Sequence, residues 1–516
     1  MVCFLTKKNI NQLKAGSLLT YVTLLISSVI PLLYTPVMLR ILGQSEYGLY
    51  SLSNSIISYL SLLTFGLGTS IMRYMMKYKV AKDKVMFERV AGLFILIYLV
   101  IGVIVCIVGF FLSIFTDTFF AKGLNSAEIS KLKILIIIMT VSTAISFVSS
   151  VYSNIIICFE KYIFRRLSDM ILTIAAPVLN LVVLFMGMAS IGMATIGLVL
   201  QILTFFVNYL YSKYKLDVSV RLLHPPVELL KSIFNFTIFV FIGMIADLLY
   251  WATDKVLIGS MIGTVAVAIY NVGSTFNSML QNLSAAISSV FSPRVNTLVF
   301  EEKPMEELSD LMIRVGRLQY LIVSLVLSGF IVFGRKFIEI WAGKSYGDAY
   351  TIALLTMIPL AIPLIQNIAF TAICAMKKHK FRSILYVVLA VANVIGTYIL
   401  IPYMGIVGAA LCTCVVFILG HGIIMNWYYY KKIGVDILSF WKNILQMSII
   451  PIVMIVAYLL FERYILGDYS SLLIMLVYIV IYTLVFCLLS WIFSMNRYEK
   501  DLVLGFVKKF KLKKGK

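Results

Sequence analysis

Charge is scarce in this sequence: Asp, Glu, Lys and Arg make up 13% of its 516 residues, where a water-soluble domain carries roughly a quarter. A soluble fold of this length is excluded, and a 61% hydrophobic content with mean hydropathy +0.99 calls for lipid as solvent. Cysteine is sparse as well. Cys106, Cys158, Cys374, Cys412, Cys414 and Cys487 fall within apolar runs and only Cys3 lies outside, so there is neither a disulfide framework nor a zinc-binding spacing. Alternating segments of about ten residues, the mark of a membrane barrel, do not occur, which leaves helices to cross the bilayer. Catalytic signatures are missing too. Gly343-Lys344-Ser345 looks like the end of a phosphate-binding loop, but the Gly required five positions earlier is Ile338. No enzyme, cofactor or metal site is expected.

What is there is a succession of apolar runs, each near the roughly 20 residues that a hydrocarbon core of about 30 Å requires of a helix. Fourteen are read. The first seven lie near 15–39, 48–72, 90–115, 134–158, 167–188, 191–211 and 232–252. The others lie near 261–289, 317–334, 349–375, 384–401, 405–427, 443–461 and 471–493. The first run is too long for a signal-peptide core and lacks a small-residue cleavage site, so it is expected to remain as span 1.

Assigning loops alternately to two sides places 35 of the 44 Lys and Arg on the side that holds both termini. Positive residues are retained in the cytoplasm, so both termini are expected there, in an inner membrane crossed many times. This asymmetry accounts for the net charge of +21 without nucleic-acid binding. The basic tail from Lys508 to Lys516 is expected at anionic lipid headgroups.

The halves repeat. Leu32, Leu33, Tyr34, Leu42 and Gly43 recur 216 residues later as Leu248, Leu249, Tyr250, Ile258 and Gly259, and after a four-residue insertion Tyr50 recurs as Tyr270. Spans 1 and 7 leave the same side, so this is a parallel repeat about an axis along the membrane normal. The expected fold is all-α and integral to the membrane, with about fourteen spans. Two pseudo-symmetric six-helix lobes, 1–222 and 223–432, are followed by two further helices and the tail in 433–516.

Both halves carry a polar stripe: Ser51, Asn54, Ser58 and Ser61 on span 2, and Asn271, Ser274, Ser278 and Gln281 on span 8, extended by Ser284 and Ser288. Steps of three and four keep each stripe on one helical face. Two readings stand at this point. Small hydroxyls let helices pack closely and bond across the contact; alternatively, stripes at equivalent positions line a wet cavity suited to sugars.

The stretch from Lys14 to Tyr78, with Lys14-Ala15-Gly16-Ser17, Leu42-Gly43-Gln44-Ser45-Glu46-Tyr47-Gly48-Leu49-Tyr50 and Arg73-Tyr74, resembles the opening of bacterial oligosaccharide-lipid flippases. These form the polysaccharide transporter branch of the multidrug/oligosaccharide-lipid/polysaccharide exporter superfamily. Thr253-Asp254-Lys255, Ile258-Gly259 and Ala268-Ile269-Tyr270 resemble it in the second half. The resemblance implies lobes around a hydrophilic cavity that opens to either side in turn. Its substrate would be an undecaprenyl-diphosphate-linked repeat unit of O-antigen or capsule, moved to the outer leaflet. Proton or sodium coupling and partnership with polysaccharide assembly proteins are further implications.

Several ionisable residues are candidates. Arg73 ends span 2 and Arg294 ends span 8, where guanidinium forks suit a diphosphate; both also serve as positive-inside anchors. Arg40, at the far end of span 1, either meets the diphosphate on leaving or snorkels. Span 7 presents Asp247, Trp251 and Asp254 on one face with Lys255 beside them. A carboxylate at the depth of Asp247 is functional or bonded to a neighbouring helix, and Asp254 with Lys255 is either a coupling pair or a solvated end. His421 in span 12 either titrates or holds a helix contact. Asn180, Gln366, Asn367 and Asn393 add polar depth.

Three other functions compete. A cation-coupled drug antiporter of the same superfamily has the same architecture, but both repeat openings resemble the polysaccharide branch. A membrane-embedded polysaccharide polymerase or ligase needs an outer domain, and the longest outer loops, near 116–133 and 335–348, are too short for one. A scaffold has no use for repeated intramembrane polar stripes.

Overall fold

A computed structural model describes residues 6–220, 243–378, 380–464 and 472–514, together with Ile233, Thr237 and Phe241. Most of the first half of span 7 lies outside the described residues, with Arg221 and Lys231. So do the side chains of Lys7, Lys8, Lys14 and the basic tail.

The described chain is helical and contains no strand. Its elements are α1 (Thr6–Ser61), α2 (Leu67–Val80), α3 (Lys84–Phe120), α4 (Ser126–Cys158), α5 (Tyr162–Phe185) and α6 (Ala189–Tyr214). A helical stretch at 243–251 leads into α7 (Thr253–Met261), α8 (Thr264–Phe300), α9 (Met305–Trp341), α10 (Ala349–Ile365) and α11 (Asn367–Ala375). There follow α12 (Lys380–Phe417), widened turns to Ile433, α13 (Ile437–Tyr464), α14 (Leu472–Leu489) and α15 (Arg497–Lys514). Eight described helices are long and apolar enough to cross a membrane, or nine with α10 and α11 as one bent span. The chain is a multi-pass membrane protein, and where the expected spans are described they fall largely on helix, with span 2 (48–72) broken between α1 and α2 and span 10 (349–375) bent between α10 and α11.

Backbone breaks refine the repeat. α1 bends at Gly43, where φ is 74°. Gly259, its partner at offset 216, stays inside α7; the matching break is Gly263, φ 127°. Gly263 lies 220 residues after Gly43, the offset that also carries Tyr50 onto Tyr270. The four inserted residues therefore add about one helical turn before the bend. Both bends need a residue that tolerates positive φ. A second pair, Gly187 at φ 79° and Gly405 at φ 57°, each preceded by Met, extends the repeat to the third hairpin of each half.

The chain forms two compact units, one of Met1–Asn271 with Asn393–Ile406 and one of Val272–Ala392 with Val407–Lys516. In the first, α3 and α4 approach closely because Gly102 faces Ala144 and Gly109 faces Thr140, the small-residue packing that lipid favours. Leu67, Ile71 and Met75 of α2 are buried with Phe94, Val151 and Ile155. Leu99, Val103 and Phe110 project outward on α3, as a lipid-facing surface requires. An Asn125–Glu128 capping box starts α4.

In the second unit, α9, α13 and α14 share a core of Phe333, Met454, Tyr458 and Tyr482. Beside it Arg317, at the start of span 9, is buried: its guanidinium grips Glu499 at 2.6 and 3.1 Å and donates to Asn443 Oδ1 and the Ser494 carbonyl. The pair pins the start of α15. Further along, Asn426 donates to the carbonyls of His421 and Gly422 within the widened turns. Its own Oδ1 accepts from Gln366 and Trp441.

Candidate functional site

A cavity of about 730 Å³ opens within the first unit. Its lining joins Ser51, Asn54, Ser58 and Ser61 of α1 with Asp247, Trp251, Lys255 and Asn271, and adds Tyr34, Tyr47, Tyr50 and Asn180. The whole span 2 stripe faces this space. Ser58 donates to the Asn54 carbonyl at 2.8 Å, Ser61 to the Ser58 carbonyl at 2.6 Å, and the Asn54 amide to the Tyr50 carbonyl at 2.9 Å. The Ser58 and Ser61 hydroxyl hydrogens are satisfied within their own helix, so the stripe presents serine lone pairs together with the second amide hydrogen and the side-chain oxygen of Asn54.

Asn271 is the centre of the opposite wall. Its amide donates to Tyr47 at 2.6 Å and Ser51 at 3.0 Å, and its Oδ1 accepts from the Lys255 ammonium at 2.6 Å. An ammonium has three donors, so one bond to Asn271 holds Lys255 in place and leaves capacity for an anion. Asp247 is exposed to the same space. The wall thus combines aromatic rings, hydroxyls, amides and one charge of each sign.

Asp254 points elsewhere. It is buried, accepting from Tyr270 at 2.6 Å, Thr397 at 3.2 Å and Asn393 at 3.4 Å. The solvated-end reading of Asp254 is thereby overturned: it anchors α7 to α8 and α12. Next to it, Thr253 meets the Tyr59 hydroxyl at 2.5 Å.

The other candidates lie away from the cavity lining. Arg73 and Arg40 are exposed on α2 and α1, and Arg294 is exposed on α8 with Glu307 at 4.0 Å. Ser274, Ser278 and Gln281 are not among its lining residues. The extension of that stripe is a helix contact, since Gln319 donates to Ser284 at 3.1 Å and Ser288 at 2.6 Å, and Ser284 donates to the Leu364 carbonyl. His421 is buried against the rings of Tyr386 and Phe417, at 5.2 and 5.3 Å. Among the described residues no group of three or more His, Cys, Asp or Glu could hold a metal ion. Sequence reasoning named Tyr47 only within the stretch that carries the family resemblance, and Tyr50 only there and in the repeat. The signal was present, because Tyr47 continues the 51, 54, 58, 61 stripe by one turn.

Comparison with known proteins places this geometry. The chain is 21% identical over 405 residues to a Shigella flexneri protein named "Putative O-antigen transporter", covering 77% of this chain and 92% of that one. Its structure resembles that of the lipid II flippase MurJ in an inward closed conformation. The TM-score is 0.70 at 17% identity, over 95% of this chain and 99% of MurJ. It also resembles an inward-facing multidrug resistance MATE family transporter of the MOP superfamily, with TM-score 0.65 at 16% identity over 81% and 99% of the two chains. These structural likenesses establish the fold. The family described as polysaccharide biosynthesis protein matches residues 13–299, more than half of the sequence, and the chain belongs to that family.

Proposed function

We propose that this protein translocates an undecaprenyl-diphosphate-linked oligosaccharide repeat unit from the cytoplasmic to the outer leaflet of the inner membrane, by alternating access. The observation that carries the reading is the cavity wall, where a hydroxyl and amide stripe for sugars faces a held ammonium, Lys255, for the diphosphate. Membership of a polysaccharide biosynthesis family and the named transport roles of its relatives support it. Both termini are cytoplasmic, and the two lobes, 1–222 and 223–432, rock about the cavity. Arg73 and Arg294 attract the diphosphate at the cytoplasmic ends of their helices, and Arg40 meets it on release. Proton or sodium coupling resides at Asp254, whose three donors can rearrange around a proton or cation. Asp247 is the alternative carboxylate.

The test is flipping of a fluorescent polyprenyl-diphosphate oligosaccharide in proteoliposomes, with efflux of a cationic dye measured in parallel. Flipping without dye efflux is expected. Dye efflux without flipping would establish the antiporter instead.

A further inference from the structure

The two repeat openings meet at a polar junction beside the cavity, entirely within the first unit. Glu128 Oε2 caps the first turn of α4, and its Oε1 accepts from Ser45 at 2.6 Å and Thr264 at 2.7 Å; those two hydroxyl oxygens are 3.3 Å apart. One residue on, Glu46 pairs with Lys131 and accepts from the Ser190 hydroxyl at 2.5 Å. Ser45 and Glu46 belong to the first repeat opening and Thr264 to the second.

Glycine makes the approach possible. A Cβ on Gly48 would collide with the Thr264 carbonyl, and one on Gly123 with the Gly259 carbonyl. A Cβ on Gly263 would lie 2.6 Å from the Gly123 carbonyl. Tyr47 and Ser51, in the cavity wall, flank Gly48 on the same helix, and Asn271 follows Thr264 by two turns on α8. The junction therefore adjoins the end of the cavity that Tyr47 and Asn271 line.

We propose that the Ser45–Glu128–Thr264 and Glu46–Lys131–Ser190 clusters form a releasable clasp that shuts the cavity on the side away from the termini and parts in each transport cycle. The proposal rests on the transport reading for that cycle, not for the contact itself. Its chemistry suits release. Carboxylates, hydroxyls and an ammonium exchange one set of hydrogen bonds for another when water enters, whereas an apolar plug would expose its surface on every opening. Glycine contacts add close fit without interlocking side chains.

The experiment uses the full chain bearing Ser45→Cys and Thr264→Cys, with Ser58→Cys as a cavity reporter. The 45–264 link is identified by mass spectrometry of its peptides, which separates it from the native cysteines. On oxidation in proteoliposomes the link should form, and labelling at position 58 by an impermeant maleimide applied from the side away from the termini should fall at least fivefold. Transport, measured in the protein with Ser45→Cys and Thr264→Cys but without the Ser58→Cys reporter, should stop on linking, and reduction should restore it as it restores the labelling. Failure of the link to form, or unchanged labelling and transport once it has formed, overturns the clasp. If labelling responds but no lipid-linked sugar is ever moved, the clasp stands and the substrate reading falls. Gly48→Ala, or the milder Thr264→Val if that variant does not insert, should raise the labelling at position 58. Unchanged labelling in both counts against the clasp.

Discussion

Replacing Lys255 by Met tests the cavity's charge logic directly, because the change removes the ammonium while keeping an unbranched apolar stem. In the structure this ammonium spends one donor on Asn271 Oδ1 at 2.6 Å, leaving two for phosphate oxygens. A hydrogen bond to a charged group contributes about 1.5–3 kcal/mol. Every 1.4 kcal/mol is about a factor of ten in rate, so losing one such contact in the rate-limiting state predicts a fall of roughly tenfold to a hundredfold. Lys255→Arg should lose less, since the charge remains though the donor geometry changes. The assay is flipping of a polyprenyl-diphosphate oligosaccharide in proteoliposomes, with protein amount and insertion matched. Arg73→Ala and Arg294→Ala provide the comparison: both guanidiniums are exposed, their fields are screened by salt, and each should change the rate by no more than about threefold. A wild-type rate in Lys255→Met, or a larger loss in the two arginine variants, would refute the assignment of the diphosphate to Lys255.

The stripes differ in wetness, so a thiol at Ser58→Cys should react with an impermeant maleimide while one at Ser288→Cys, bonded to Gln319 in the parent protein, stays unlabelled; equal labelling would remove the distinction. The Arg317–Glu499 pair, 8% and 1% exposed, should cost about 3–5 kcal/mol of stability when Arg317→Ala leaves the carboxylate buried alone. A lower melting temperature in detergent, largely restored in Arg317→Met with Glu499→Leu, is the expected result. The clasp should also depend on pH. Burial pushes the Glu128 carboxyl up, but the Ser45 and Thr264 hydroxyls, the Asn125 amide and Lys131 outweigh it and hold it below the usual range; Glu46 is likewise raised by burial and lowered further by Lys131 and Ser190. Carboxylates with depressed values favour closure fully above their ordinary value of about 4.3 and lose that contribution as pH falls through the depressed one. Labelling at position 58, expressed relative to an exposed loop cysteine at the same pH so that the thiolate fraction cancels, should therefore be flat from about pH 5 to 8 and rise only below about 4; a rise in that ratio already at about pH 6 would contradict this account.

The helical, membrane-embedded fold was legible because hydropathy is a local property, but the breaks inside the expected spans 48–72 and 349–375, at Phe65–Gly66 and Gln366, were not. The repeat was legible too, and the structure adds where it bends: identity matches Gly43 to Gly259, whereas backbone geometry matches it to Gly263. The cavity was half legible. Spacing found the span 2 stripe and the span 7 face, but could not tell that Asp254 turns inward to Tyr270, Asn393 and Thr397 while its neighbour Lys255 turns to the cavity. Adjacent helical residues diverge by about 100°, and which of them meets water depends on tertiary packing. Arg317 escaped for a similar reason: its acidic partner lies 182 residues away.

The span 2 stripe and the far end of the span 8 stripe, Ser284 and Ser288, meet different surroundings, and the reason lies in what faces them. Opposite Ser51, Asn54 and Ser58 stand Asp247, Trp251 and Lys255, groups too large and too polar to interlock with serines, so a space remains that water or a ligand fills. Opposite Ser284 and Ser288 stands Gln319, whose amide reaches both hydroxyls at once and closes the gap with hydrogen bonds. A serine stripe in a membrane helix is thus undecided by itself. Its role follows from the partner, and the difference between a long amide and a charged or indole side chain across the gap separates a packed joint from a cavity wall. Gln319→Ala should then convert the second stripe toward the first. Removing the amide leaves the Ser284 and Ser288 oxygens without that donor and opens room for water, so Ser288→Cys in the Gln319→Ala background should become reactive toward maleimide where Ser288→Cys alone is not. Absence of labelling in the double variant, with the protein inserted and folded, would mean that neighbouring side chains collapse into the gap and that the partner does not decide the stripe's role.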